Sequence, residues 1–233
     1  MSPCFIINVR NERVVLIVQV LKDELRHKIL LESEHLFLQR GYDRTSLQMI
    51  ADKVNISKSN LYHYFKNKEE LFYELTDSAA DGLKRMILRF RSMRFDLNMD
   101  AQEFRMLLTE EVLSLLLAEK YGLLLIMEQA NGTRYENLRP VMIELIASKI
   151  VSMLADEENS PMMAQIMARN LVDGTVHILK NRVRPSEVRA GLNQLITYHT
   201  QGMHALQKAA REDVEKLRCS SSLSIETTLS IES

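Results

Sequence analysis

Tryptophan is absent from this 233-residue chain, and proline and glycine are scarce, with four and seven copies. Proline blocks helix interiors and glycine loosens them, so their scarcity leaves long stretches free to coil into helices. Leu, Met, Glu, Lys, Arg and Ala abound instead; they lose little rotamer freedom in a helix, and an all-α fold is expected. Only two cysteines occur, Cys4 and Cys219, in opposite terminal segments. They fit neither a disulfide framework nor a metal-ligand spacing, and a reducing cytoplasm is the simplest setting. Long apolar runs are missing too: Val14 to Val18 falls far short of the roughly 20 residues a membrane span requires. No small-residue cleavage site follows it, so neither a membrane nor a secretory signal is expected. Enzyme signatures are also lacking, with no Gly-rich phosphate loop, no zinc-type His/Cys spacing and no Gly-x-Ser-x-Gly elbow. No catalytic residue, metal or cofactor is expected.

What the chain does have is apolar residues in helical register and one local excess of positive charge. Hydrophobic residues make up 46% of it, enough to bury a substantial core. The formal net charge is only -1, yet Lys53, Lys58, Lys66 and Lys68 fall within one stretch that holds no acid. That is a basic patch in a neutral protein.

Residues 1–21 show neither a clean helical nor an alternating period and stay unassigned: a forward extension of the first helix, a strand-like arm, or residues upstream of the natural start. From Lys22 to Arg40, Leu25, Ile29, Leu30, Ser33, Leu36 and Phe37 form one helical stripe. Gly41 ends it, and Tyr42 can fold back on the last turn. Thr45 and Gln48 read as a capping box opening a second helix, whose inner face is Leu47, Ile50, Ala51 and Val54. Asn55 suits the left-handed turn that follows, and Ser57 is placed as N-cap of a third helix, Lys58 to Phe65. Leu61 and Phe65 face inward there, leaving Ser59, Asn60, Tyr62 and His63 outside. Asn67 with Glu70 caps a fourth helix expected to reach about Met93. Beyond residue 100, helices are expected near 101–119, 121–130, 137–156, 161–181 and 186–208. The Ser-, Thr- and Glu-rich tail is read as disordered or loosely docked.

Two short helices joined by a four-residue turn, the second with polar and aromatic groups outward, make the geometry that enters the major groove of DNA. Lys58, Asn60, Tyr62 and His63 supply donors, acceptors and ring edges. Thr45, Ser46 and Ser57 stand at helix starts suited to phosphate oxygens, and Lys66 and Lys68 would meet the backbone as point charges. These residues carry a resemblance. Thr45-Ser46-Leu47-Gln48-Met49-Ile50-Ala51, followed by the run from Ile56 through Ser57, Lys58, Ser59, Asn60, Leu61, Tyr62, His63, Tyr64, Phe65, Lys66, Asn67 and Lys68 to Leu71, is similar to the TetR family of regulators. The likeness covers about residues 25–75. Asn55 and Ser59 depart from the pattern, where the family usually has Gly and often has Gly; the second departure puts a hydroxyl on the DNA-facing surface.

The resemblance implies a homodimeric regulator on a palindromic double-stranded DNA operator. It implies three N-terminal helices that bind DNA, two long C-terminal helices that form the dimer interface, and a central cavity for a small-molecule effector. Repression relieved by effector binding is the expected function. The expected domains are an extension at 1–21, a helix-turn-helix domain at 22–70, a helical effector-binding and dimerisation domain at 71–210, and a flexible tail at 211–233. The candidate dimer seam is Met163, Met167, Leu171, Gly174, Leu192, Leu195 and His199, although intramolecular core helices would show the same periodicity. Candidate effector contacts are Met106, Met127, Asn170 and His177, with ordinary core or surface as the plainer reading of each. Two rival functions remain: an effector-independent DNA organiser, and a helical ligand-binding or interaction dimer that has lost DNA binding.

Overall fold

The computed structural model describes residues 9–92, 110–154 and 160–229, with side chains at 19–92, 112–154, 161–206 and 208–209. Among the described residues there is helix and turn and no strand. The helices are α1 (Val9–Arg40), α2 (Leu47–Val54), α3 (Lys58–Leu61), α4 (Lys68–Ser92), α5 (Glu110–Ala118), α6 (Lys120–Gln129), α7 (Leu138–Val151), α8 (Ser160–Asn181) and α9 (Pro185–Leu229). The all-α expectation holds. They divide into two compact units, one of Met1–Ala80 with Tyr121–Glu136, the other of Asp81–Lys120 with Asn137–Ser233. The first unit therefore takes in a segment that the sequence reading assigned to the domain starting at residue 71.

Inside the first unit, Ile29, Ser33, Leu36 and Phe37 of α1 are buried, while Leu25 and Leu30 are half-buried. Phe37, Tyr42 and Phe72 form an aromatic nest, Phe72 standing edge-on to Phe37 at 5.3 Å and to Tyr42 at 5.0 Å between ring centroids. The buried Ser33 and Thr76 hydroxyls donate to the carbonyls of Ile29 and Phe72 one turn back, so neither hydroxyl is stranded. On α6, Leu123, Leu124, Leu125 and Ile126 are all buried. Gly122 is needed for its lack of a side chain: a Cβ there would lie 2.8 Å from the Ala79 Cβ and 2.9 Å from the Leu75 carbonyl oxygen.

The second unit stacks α7 on α8 and α8 on α9. Ala164, Ala168, Val172, Val176 and Leu179 of α8 are buried, as are Val188, Leu192 and Ile196 of α9. Arg139 of α7 pairs with Asp173 of α8 at 2.5 Å, and Gln165 donates to Glu144 at 2.6 Å.

Several expectations need correction. The first helix starts at Val9, thirteen residues before Lys22, so 9–21 are its forward extension. The tail is not irregular as far as Leu229, because α9 continues to that residue. Sequence reasoning stopped the helix where apolar residues thin out, but Ser- and Thr-rich backbone can still propagate a helix already nucleated. The helix placed at 101–119 is seen as Glu110–Ala118, its first part lying outside the described residues, and the one placed at 137–156 ends at Val151.

Candidate nucleic-acid interface

The candidate helix-turn-helix is built from short elements whose ends are closed by side chains. Ser46, not Thr45, caps α2: its backbone is extended and its hydroxyl accepts from the Met49 N–H at 3.2 Å. Thr45 is buried, and its hydroxyl donates to the Gly41 carbonyl at 2.8 Å and the Leu36 carbonyl at 3.3 Å. The expected capping box is thus absent, Gln48 bonding Asp52 instead, and Thr45 ties α1 to α2 rather than offering a hydroxyl to phosphate. Gly41 adopts φ +86°, as its place after α1 requires.

At the far end of α2, Asn55 occupies the left-handed region at φ 63°, ψ 48°. Its N–H donates to Asp52, and the Ile56 N–H reaches the Ala51 carbonyl at 3.0 Å, a Schellman closure that turns the chain sharply. Ser57 then caps α3, accepting from the Asn60 N–H at 3.1 Å. Regular helix ends at Leu61, shorter than the expected Lys58 to Phe65. Tighter i to i+3 bonds, His63 to Asn60 and Tyr64 to Leu61, carry the coil on to Phe65, whose N–H donates to Leu61.

The faces fall as the spacing requires. Leu61 and Phe65 are buried at 0% and 1% exposure, whereas Lys58, Ser59, Tyr62, His63 and Lys66 are exposed, and Asn60 and Tyr64 are half-buried. The Lys58 ammonium sits 5.9 Å from the Tyr62 ring centroid. Asn67 caps α4 through the Glu70 N–H at 2.7 Å, and the Glu70 carboxylate returns to the Lys66 N–H at 2.7 Å. Lys68 differs from the other lysines: it is half-buried, donates to the Tyr42 carbonyl at 2.8 Å and lies 4.0 Å from the Tyr42 ring centroid. Burial lowers its pKa. It fastens α4 to the α1–α2 corner.

Sequence reasoning passed over two groups that support this face. Arg26 of α1 stacks over the Phe65 ring at 5.1 Å and pairs with Glu74 of α4. Arg134 lies over the Tyr73 ring at 3.9 Å and sits 4.8 Å from the Tyr135 centroid, the two rings meeting edge to face, and bonds Asp77 at 2.6 Å. The Tyr135 hydroxyl donates to the same Asp77 oxygen at 2.6 Å. Burial first, then that bond, pushes its pKa up to about 12. These partners lie 57 to 58 residues apart in sequence, beyond any local period.

The candidate dimer and effector residues fare differently. Met167, Leu192 and His199 are buried within one chain, and Met163, Leu171, Gly174 and Leu195 are half-buried. A Cβ on Gly174 would meet Leu195 at 2.9 Å, so the close approach Gly174 permits is between α8 and α9 of the same chain. Of the effector candidates, Met106 lies outside the described residues and Met127 is half-buried in the first unit. Asn170 and His177, in the second unit, are exposed and line no interior.

Residues 29–75 match the sequence profile described as bacterial regulatory proteins, tetR family. The negative transcriptional regulator of the icaADBC biofilm operon, IcaR, from Staphylococcus epidermidis is 34% identical over 65 residues, covering 28% of this chain and 35% of that protein. The transcriptional activator FasR of Mycolicibacterium smegmatis is 34% identical over 62 residues, covering 27% and 28%. The matched part thus spans about a third of these relatives' length. The crystal structure of the probable transcriptional regulatory protein RHA5900 aligns over 76% of this chain and 97% of its own, with a TM-score of 0.52 and 17% identity, a likeness of fold. The likeness to the bacterial regulatory proteins of the tetR family is thus carried by residues 29–75, which hold the helix-turn-helix.

Proposed function

We propose that the protein is a sequence-specific, dimeric DNA-binding regulator that represses transcription by occupying a palindromic operator and is released by a small-molecule effector. The observation that carries this reading is the division of one short coil: Leu61 and Phe65 anchor it in the core while Lys58, Ser59, Tyr62 and His63 stand in solvent. An apolar underside and a polar, aromatic outer side fit a recognition element lying in a major groove. Ser46 and Ser57 cap the starts of the two short helices before and after the turn. Among the similar proteins are a negative regulator and an activator, and repression is the output proposed here. Reporter expression from a promoter bearing the operator should fall when the protein is supplied; a rise would reverse the sign.

Tyr62→Ala and His63→Ala are each expected to weaken operator binding by about 1–3 kcal/mol and to blur base preference, whereas Lys66→Ala should weaken all sequences alike. With roughly four phosphates neutralised per protomer, the log-log salt slope of the dimer should approach about -7. Titrations in which none of the three variants loses affinity, or in which salt has no effect, would remove the assignment.

For the dimer, the exposed stripes take the place of the seam read from sequence. Met162 and Ile166 on α8 are 62% and 46% exposed, and Tyr198 and Leu206 on α9 are 72% and 39% exposed. Gly202 faces open space between the last two. Apolar groups left in water at helical spacing on both long helices suit a four-helix interface between two copies. Ile166→Glu combined with Tyr198→Glu is expected to convert dimer to monomer in sedimentation at micromolar concentration, with helical content retained. A dimer unchanged by the pair would put the interface elsewhere. For the effector, native mass spectrometry of freshly purified protein should show a retained small molecule; addition of that molecule should free bound DNA.

A further inference from the structure

Residues 129–135 connect two helices in sequence, yet they are fastened both to the α1–α2 corner and to the first turns of α4. On one side the Tyr42 N–H donates to the Gln129 carbonyl at 3.4 Å, and the Gln129 amide donates to the Leu38 carbonyl at 3.5 Å, at the corner where α1 gives way to α2. Lys68 closes that corner through the Tyr42 carbonyl. On the other side Arg134 reaches the first turns of α4. Its guanidinium donates to Asp77 at 2.6 Å and to the Tyr135 hydroxyl at 2.7 Å. Its backbone N–H donates to the Tyr73 hydroxyl at 3.3 Å, and that hydroxyl in turn donates to Glu69 at 2.8 Å. The corner leads into α2, which precedes residues 57–65, and α4 follows them, so one segment holds the elements before and after the coil.

We propose that residues 129–135 are a brace for the DNA reader, with Arg134 as its positioning residue, so that DNA affinity is set in part from a segment outside the helix-turn-helix. The inference rests on the DNA-binding reading for its consequence, though not for its geometry. A four-residue helix has no stability of its own; its orientation is whatever its neighbours hold. Loosening the neighbours lowers the fraction of molecules whose coil fits the groove, and apparent affinity falls by that fraction. Arg134 is half-exposed, so its ion pair alone contributes little. The specific part is the planar fork, which lies over the Tyr73 ring while bonding both Asp77 and the Tyr135 hydroxyl, an arrangement lysine cannot reproduce.

The test compares the full-length protein with Arg134→Ala, Arg134→Lys and Asp77→Asn by amide hydrogen exchange and by titration of a duplex enriched by the wild type from a random-sequence pool. Expected for Arg134→Ala are faster exchange at 41–46 and 57–66, unchanged exchange in α7 and α8, and DNA binding about five- to tenfold weaker with the salt slope preserved. Arg134→Lys should restore little, and combining Arg134→Ala with Asp77→Asn should add less than the sum of the two. Acceleration confined to 129–136, or spread equally through α7 and α8, overturns the brace. A salt slope shallower by about two for the dimer would make Arg134 a phosphate contact instead. If the wild type enriches no duplex, the DNA-binding reading fails, and the exchange pattern still decides the brace.

Discussion

Phe37→Ala should cost about 3–5 kcal/mol of folding free energy, measured by urea unfolding of the first unit's helices. The side chain is fully buried, 5.3 Å from Phe72 and 5.9 Å from Tyr42 between ring centroids. Removing it takes apolar area from the core and leaves a void at the meeting point of α1, the α1–α2 corner and α4. The neighbours have little room to relax: Tyr42 is held through its carbonyl by Lys68 and through its N–H by Gln129. A loss below about 1 kcal/mol would mean that the nest collapses freely, contrary to the rigid corner described above.

Leu61→Ala is expected to cost about 2–5 kcal/mol and to weaken DNA binding even at temperatures where the variant is fully folded. Leu61 is completely buried, one residue from the exposed Tyr62 and two from the exposed His63. Its side chain fixes the rotational setting of the coil, so its loss lets the outer residues rotate relative to a groove edge. Calorimetry gives the stability change, and titration well below the melting point gives the affinity. Undiminished affinity in the folded variant would show that Phe65 and the Ser57 cap suffice to orient the coil.

Local chemistry made much of the reader legible. Asn55, Ser57 and Asn67 act at chain turns and caps, where a single side chain determines a single backbone bond, and all three stand where the residue types imply. Thr45 was misread because both it and Ser46 are good caps; the choice is made by tertiary packing, which buries Thr45 against the carbonyls of Leu36 and Gly41. Periodicity failed differently at Gly174. An apolar stripe reports that a helix face is covered, not whether the cover is the same chain or another, and here Leu195 of the same chain covers it. Arg134 was invisible for a third reason: it sits in a short connection, and its worth comes from Tyr73 and Asp77, far away along the chain.

The discontinuity of the first unit bears on synthesis. Gly122 lies against Leu75 and Ala79, and 56 residues separate Ala80 from Glu136, so these surfaces cannot be closed when the helix-turn-helix first leaves the ribosome. At elongation rates of about 5–20 residues per second that gap lasts roughly 3–11 s, long compared with the folding of a small helical bundle. The nascent reader therefore waits half-dressed, with apolar residues open to chaperones, and a hybrid made by joining residues 1–80 to an unrelated sensing domain would inherit that unfinished surface permanently.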